Sequence, residues 1–245
     1  MHISIVYILV FISSYVVGSI PFSWIITKLK TGEDLRKIGS GNVGGRNVYR
    51  ATKSRNWALF AGFLDVCRSV TAVALIYYLS NILYFQNYPE YNVPLTSFFP
   101  DTVLGFSLAI AGLGAILGHN WSIYLLPGHG GRGITVVLAS MLYANPIMIA
   151  FWIVLWPIVI TFVGYSSITY IVTTALVGVI ALFFPVVMPW APYNLAIAII
   201  LFSISIVMIS RQKDNIRKIR TGEAKKMNIW KAVFGKKKMS DEILK

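Results

Sequence analysis

The sequence predicts an all-α integral membrane protein, a bundle of about seven transmembrane helices. Three observations carry that prediction. Of the 245 residues, 56% are hydrophobic, and the mean hydropathy is +0.68. From Ile134 through Ser210 there is no Lys, Arg, Asp, Glu or His. A soluble domain of this size keeps a charged surface, so long uncharged apolar runs are membrane spans. The formal net charge of +13 is gathered into a few polar segments between those runs. That is the pattern of membrane topology rather than of a nucleic-acid surface, so no nucleic-acid partner is expected. Membrane lipids are the expected surroundings, with juxtamembrane bases facing anionic headgroups.

The first span runs roughly from Ile3 to Thr27. Gly18 and Pro21 interrupt it, which membrane helices tolerate when neighbours satisfy the freed backbone. It is long for a cleaved signal and has no basic stretch before it, so it reads as retained. A polar segment follows with Lys28, Lys30, Arg36, Lys37, Arg46, Arg50, Lys53 and Arg55. This excess of base marks the cytoplasmic side and puts the N-terminus outside. The second span, from about Trp57 to Leu79, carries Asp65 and Arg68 on one helical face. Ionisable residues inside a span face the bundle or a polar cavity. A structural ion pair is the plain alternative to a site. The segment Asn81–Asp101, with Glu90 and no base, reads as an outer loop.

The third span runs from about Thr102 to Leu117 and ends in Gly118-His119-Asn120-Trp121. A second polar cluster follows, Pro127-Gly128-His129-Gly130-Gly131-Arg132-Gly133. Four more spans are expected near Ile134–Ala144, Ile147–Val163, Ile168–Phe184 and Tyr193–Ile209. They divide at Asn145-Pro146, at Gly164–Ser167 and at Pro185–Pro192. The first of the four is short for ~30 Å of hydrocarbon. Seven spans place the basic tail on the cytoplasmic side with both glycine clusters. The chain thus divides into a membrane domain, residues 1–210, and a tail, residues 211–245, whose first residues join the site. Beyond Lys225 the tail reads as an amphipathic surface helix or as disordered. Cys67 is the one cysteine, so no disulfide forms within the chain, and it reads as a small core residue.

The candidate site begins with Gly39-Ser40-Gly41-Asn42-Val43-Gly44-Gly45-Arg46-Asn47-Val48-Tyr49-Arg50. Glycines let backbone N–H groups approach a ligand, and successive N–H groups in tight turns make anion sites. Ser40, Asn42, Asn47, Arg46 and Arg50 add side-chain donors. The second cluster and Arg211-Gln212-Lys213-Asp214-Asn215-Ile216-Arg217 fall on the same side. Each alone is weak: glycines also serve helix packing, and bases after a last span also serve topology. Together they suggest a grip on phosphate, with a substrate that lives in the bilayer.

In these residues the chain resembles the bacterial acyl-phosphate:glycerol-3-phosphate acyltransferases. Gly18-Ser19-Ile20-Pro21-Phe22 comes first, then Gly39-Ser40-Gly41-Asn42 through Asn47 and Arg50. Leu64-Asp65, Gly118-His119, Gly130-Gly131-x-Gly133 and Asn215-Ile216 follow in the family's order. The resemblance extends to about Gly222. It implies a seven-span bundle with cytoplasmic motifs. It implies acyl transfer from acyl phosphate to the 1-hydroxyl of glycerol 3-phosphate, with no metal and no other cofactor. Ser40, Asn42, Gln212 and Asn215 take the catalytic positions. Gly41, Asn47, Arg50, Arg68, His129, Gly130, Gly131 and Arg132 take the positions that bind substrate phosphate. Ser40 and Asn42 suit orientation of the acceptor, Arg50 a bidentate grip on its phosphate, and the second glycine loop a cradle for acyl phosphate. The family has Lys where His129 and Arg132 stand, Lys-Gly for Arg68-Ser69, Ala-Thr for Gly45-Arg46, and His for Gln212.

Two other readings stay open from sequence. One keeps the fold and changes the lipid phosphate or the acceptor, motivated by His129, Arg132 and Gln212. The other is a lipid or anion transporter without chemistry, motivated by the interrupted spans at Gly18–Pro21 and Asn145-Pro146. Against the latter, no repeated halves are visible and the polar motifs gather at one face. His119 reads as a hydrogen bonder at the end of a span.

Overall fold

The computed structural model describes residues 3–87, 102–127, 129–144, 146–187, 194–224 and 226–227, and the regular elements among them are all helical. Helix α1 (Ile3–Gly18) stops because Pro21 has no N–H and disfavours helical geometry in the residue before it. After that short break the chain resumes as α2 (Phe22–Thr31), which closes on Gly32 in the left-handed conformation. The remaining helices are α3 (Gly45–Thr52), α4 (Arg55–Asn87), α5 (Thr102–Asn120), α6 (Ile134–Ala144), α7 (Pro146–Val163), α8 (Ser166–Val187), α9 (Asn194–Arg211) and α10 (Lys213–Arg220).

Among the described residues, five stretches are long and apolar enough to cross a membrane: Ser4–Thr31, Arg55–Ala74, Phe106–Leu125, Pro146–Val163 and Ser166–Phe183. The other two expected spans fall on α6 and α9. Helix α6 has 11 residues and rises only ~16 Å, and the described apolar part of α9 is Ala198–Arg211.

Several expected boundaries move. The second span continues past Leu79 to Asn87, so Asn81–Asn87 is helix rather than loop; no Gly or Pro there interrupts it. The rest of that outer loop, with Glu90 and Asp101, lies outside the described residues. Helix α8 runs through Pro185 to Val187, as α7 runs through Pro157. A membrane helix absorbs the loss of one N–H donor when its neighbours hold it. Asn145, Met188–Pro192 and the tail beyond Met227 also lie outside the described residues. The second half of the first glycine stretch, Gly45–Thr52, is a helix and not a loop.

Helix α1 packs on α5 and α4, α5 also on α9, and α8 between α7 and α9, while α6 wedges among α4, α5 and α7. The buried cluster at the centre includes Val73, Ile116, Met141, Leu201 and Met208. Large apolar side chains also point outward, with Phe162 85% and Leu59 73% exposed. That would be a liability in water and is the normal outer face of a bundle in lipid. Cys67, expected in the core, is exposed because it lies on a different face of α4 from the buried Asp65 and Arg68. Between α1 and α5 the backbones nearly touch. A Cβ on Gly114 would meet the Phe11 carbonyl, and one on Gly18 would meet the Ala115 backbone. Small residues at such a seam permit the close packing on which helix association in lipid depends.

At one end of this bundle the connections form a layer. Asp34 accepts two hydrogen bonds from Arg36 Nε, at 3.0 and 3.1 Å, one from Arg36 Nη2 at 2.6 Å and one from Trp24 Nε1 at 2.9 Å. Arg36 Nη1 reaches across to donate to the Leu125 carbonyl at 2.9 Å. The pair therefore ties the segment after α2 to the segment after α5. The Arg36 hydrogen bonds hold the Asp34 carboxyl well below its ordinary 3.8, with help from Trp24 and against the opposing pull of burial.

Two outcomes follow from this packing. Gly114→Val should cost about 1–3 kcal/mol through overpacking, read as a lower melting temperature in detergent, with activity falling only with the folded fraction. Asp34→Asn should also lower the melting temperature at neutral pH. Because the folded-state pKa is depressed, the Asp34 contribution is complete above the unfolded value and fades as pH falls toward the folded one. The gap between Asp34→Asn and the parent should therefore be constant above pH about 5 and narrow below pH about 4. Melting curves across that range test it.

Candidate functional site

The first glycine loop is built around one side chain. Asn47, on the first turn of α3, is 2% exposed. Its Nδ2 donates to the carbonyls of Ile38 at 3.0 Å and Asn42 at 2.9 Å, and lies 3.2 Å from Ser40 Oγ. Its Oδ1 accepts from Arg50 Nη1 at 2.6 Å. Gly39 and Gly41 sit in the left-handed region at φ of 55° and 67°, where a side chain is disfavoured. Gly41 N donates to the Ile38 carbonyl at 3.0 Å, closing a turn that presents Ser40 outward. Asn42 Oδ1 is buried without a protein hydrogen-bond partner. So Ser40, Gly41, Asn42, Asn47 and Arg50 do converge, but Asn47 is committed to shaping the loop.

The second glycine loop lies on the end of α5. Gly131 N donates to the His119 carbonyl and Gly130 N to the Asn120 carbonyl, both at 2.9 Å. These bonds cap carbonyls that a helix end leaves unpaired. They also commit the two N–H groups that the sequence suggested for an anion. Of the loop's charged or ionisable side chains, His129 is exposed and Arg132 partly exposed. The first loop hangs on the second through Val43 N to the Gly130 carbonyl, at 3.4 Å. Arg211 Nη2 also reaches the Gly130 carbonyl at 3.4 Å.

The tail completes the layer. Asn215 faces Arg132, whose Nη1 and Nη2 stand 3.1 and 3.2 Å from its amide oxygen in the orientation that satisfies both groups. A guanidinium can only donate, so the Asn215 atom facing it is oxygen. The same Asn215 oxygen lies 2.9 Å from Ser167 Oγ and 2.5 Å from the end of the Gln212 amide. Gln212, 1% exposed, must therefore turn its NH2 toward Asn215. Helix α10 places these residues one turn apart.

Arg68 is buried and shares a small pocket with Gly130 and Gly131. It is 4% exposed inside the bundle and lies 3.7 Å from the Asp65 carboxylate. Its Nη1 donates to the Gly18 carbonyl, left open where α1 ends, and its Nη2 lies 2.6 Å from His119 Nδ1. Ser23 Oγ donates to Asp65 Oδ2 at 2.7 Å. This cluster floors a small pocket walled by Ser19, Val43, Ser122, Gly130 and Gly131. Sequence reading missed the partnership of Arg68 with His119, of Arg132 with Asn215, and the roles of Ser23 and Ser167. Only the Asp65–Arg68 spacing carried a local signal; the others depend on contacts between distant segments.

Known proteins resemble this chain over most of its length. The family described as Glycerol-3-phosphate acyltransferase matches residues 8–222. The Glycerol-3-phosphate acyltransferase 3 of Dehalococcoides mccartyi (strain ATCC BAA-2266 / KCTC 15142 / 195) is 32% identical over 222 residues, 90% of this chain and 95% of that protein. The glycerol-3-phosphate acyltransferase of Ehrlichia chaffeensis (strain ATCC CRL-10679 / Arkansas) is 27% identical over 224 residues, 91% of this chain and 98% of that one. The crystal structure of PlsY (YgiH), an integral membrane glycerol 3-phosphate acyltransferase, in its glycerol 3-phosphate form, is similar with a TM-score of 0.64. It is 25% identical, and the match covers 93% of this chain and 98% of that chain. A match over residues 8–222, together with near full-length relatives, shows that the chain belongs to the glycerol-3-phosphate acyltransferase family of integral membrane enzymes.

Proposed function

We propose that this glycerol-3-phosphate acyltransferase takes its acyl group from an acyl phosphate. It delivers that group to the 1-hydroxyl of glycerol 3-phosphate, so that lysophosphatidate leaves into the bilayer as an early intermediate of phospholipid synthesis. The observation that carries this reading is the bond between Arg132 and Asn215, which closes the second glycine loop onto the tail. With the Val43 contact to Gly130 it gathers three donor-rich segments into one layer at one end of an apolar bundle. The glycerol 3-phosphate form of the solved relative supports the acceptor.

In the proposed reaction the acceptor O1 forms a bond to the acyl carbonyl carbon. The bond from that carbon to the phosphate oxygen breaks, and its electron pair leaves with the phosphate. The hydroxyl proton passes to that phosphate, which is a base near neutral pH. Gln212 is an amide and does not take the proton; it and Asn215 hold Arg132. Acyl phosphate is already activated, so the protein chiefly positions two anions and steadies charge on the tetrahedral oxygen. Ser40 and Asn42 orient the acceptor, Arg50 offers the open edge of its guanidinium to the acceptor phosphate, and His129, Arg132 and the Gly130–Gly131 turn face the donor. Gly41 shapes the loop. Arg68 acts from beneath. No metal or cofactor enters this scheme.

The same reading places the layer on the cytoplasmic side of seven spans, with the N-terminus outside and the tail inside. The Lys and Arg content of the segments around Gly39–Arg50, Gly130–Gly133 and Arg211–Arg220 supports it.

Three measurements bear on this. Purified protein given acyl phosphate and glycerol 3-phosphate should form lysophosphatidate and phosphate in equal amounts; a folded protein that makes neither refutes the donor assignment. Arg50→Lys should insert and fold but lose roughly ten- to a hundred-fold in kcat/KM for glycerol 3-phosphate, since Lys reproduces a planar fork poorly. Lys53→Gly removes an exposed positive charge nearby, at a position whose φ of 54° suits glycine, and should change little. For topology, Lys37→Cys and Glu223→Cys in a Cys67→Ser background should label from one side of the membrane and Asn87→Cys from the other. Labelling of all three from one side overturns the scheme.

A further inference from the structure

Inside the bundle, beside the second glycine loop, Asp65, Arg68 and His119 form a linked row. Arg68 Nη2 stands 2.6 Å from His119 Nδ1. A guanidinium has no acceptor, so Nδ1 must receive the bond and the imidazole proton must lie on Nε2. Asp65, 3.7 Å from Arg68 and steadied by Ser23, and the Gly18 carbonyl keep the guanidinium in place. The far side of the ring is equally constrained. The His119 imidazole occupies the place a side chain at residue 131 would need: a Cβ there would overlap Nε2 first. A Cβ on Gly130 would overlap the His119 carbonyl. The His119 and Asn120 carbonyls then take the N–H groups of Gly131 and Gly130.

From this geometry we infer that His119 is a positioning residue: locked by Arg68 as the Nε2–H tautomer, its ring serves as the wedge on which the second glycine loop is seated. Through it, the buried Asp65–Arg68 pair sets where His129 and Arg132 stand relative to the first glycine loop. This explains why Gly131 must be bare: the side chain of residue 131 has in effect been supplied by residue 119. The inference rests on the proposed reaction only in taking the second glycine loop to face substrate phosphate.

A size exchange tests it. Gly131→Ala should raise the KM for the phosphorylated substrates about tenfold or more while the protein still folds, because its methyl displaces the loop from the ring. His119→Ala alone should raise KM several-fold. In the pair His119→Ala with Gly131→Ala the methyl has room, so its KM should fall below that of Gly131→Ala alone. A double variant with KM equal to or above that of Gly131→Ala alone overturns the wedge. A second measurement needs neither a variant of these residues nor activity. Imidazole ¹⁵N spectra of histidine-labelled protein, with His2 and His129 assigned by replacement with Gln, should show His119 protonated at Nε2 and accepting at Nδ1. A His119 protonated at Nδ1 overturns the inference even in an active enzyme. An expected tautomer in a protein that makes no lysophosphatidate leaves the wedge standing and removes the acyl-phosphate reading instead.

Discussion

A guanidinium enclosed among apolar helices must find partners, and the structure around the site follows from how Arg68 finds them. Taking a charge out of water costs several kcal/mol, which a partner recovers only with good geometry and further hydrogen bonds. Asp65 supplies the counter-charge from the same helix. The remaining donors have to be met from other helices, so α1 ends where its Gly18 carbonyl can accept and α5 ends where His119 can. The break between α1 and α2 and the terminus of α5 are thus brought to one level. Removing either member of such a pair leaves the other buried and alone, at a cost of about 3–5 kcal/mol. The ion pair is best seen as a locator of helix ends rather than as a source of net stability.

Once those ends are level, two loops can be built on them. The second glycine loop uses its N–H groups to cap the α5 carbonyls, and its carbonyl at Gly130 in turn receives Val43 of the first loop and Arg211 of the tail. The first loop needs a separate organiser because its left-handed glycines cannot hold a shape alone. Asn47 provides it with donors for the backbone and an acceptor for Arg50. The second glycine loop thus spends the N–H groups of Gly130 and Gly131 on the helix end beneath it.

Much of this was legible in the sequence, and what was missed has a common cause. An uncharged run from Ile134 to Ser210 can only be membrane helix, so the fold class follows from composition. The gathering of the three motifs at one face follows from the order of spans. The family resemblance lies in the motifs themselves. Helix ends were less readable: nothing local distinguishes Leu79 from Asn87 as the end of α4, because lipid thickness does not stop a helix that meets no proline or glycine. Division of labour within motifs was hidden too. Asn47 and Ser40 look alike as donors in a polar stretch, yet one is buried and structural and the other exposed. Only the packing of α3 on α4 and α2 separates them. His119 resembled any residue at the end of a span until α4 placed Arg68 beside it.

Arg132, Ser167, Gln212 and Asn215 make sense together rather than singly. A lysine at position 132 would present one compact charge to Asn215, whereas Arg132 spans its oxygen with two N–H groups. That oxygen then needs only neutral donors from its remaining neighbours, and the amide of Gln212 and the hydroxyl of Ser167 are such donors. An imidazole at position 212 would add a group whose charge changes near neutral pH beside a permanent cation. Within this cluster the second charge is absent and the hydrogen bonds persist, so the fork of Arg132 and the amide of Gln212 are complementary halves of one arrangement. A network of this kind holds the second glycine loop to the tail without titrating.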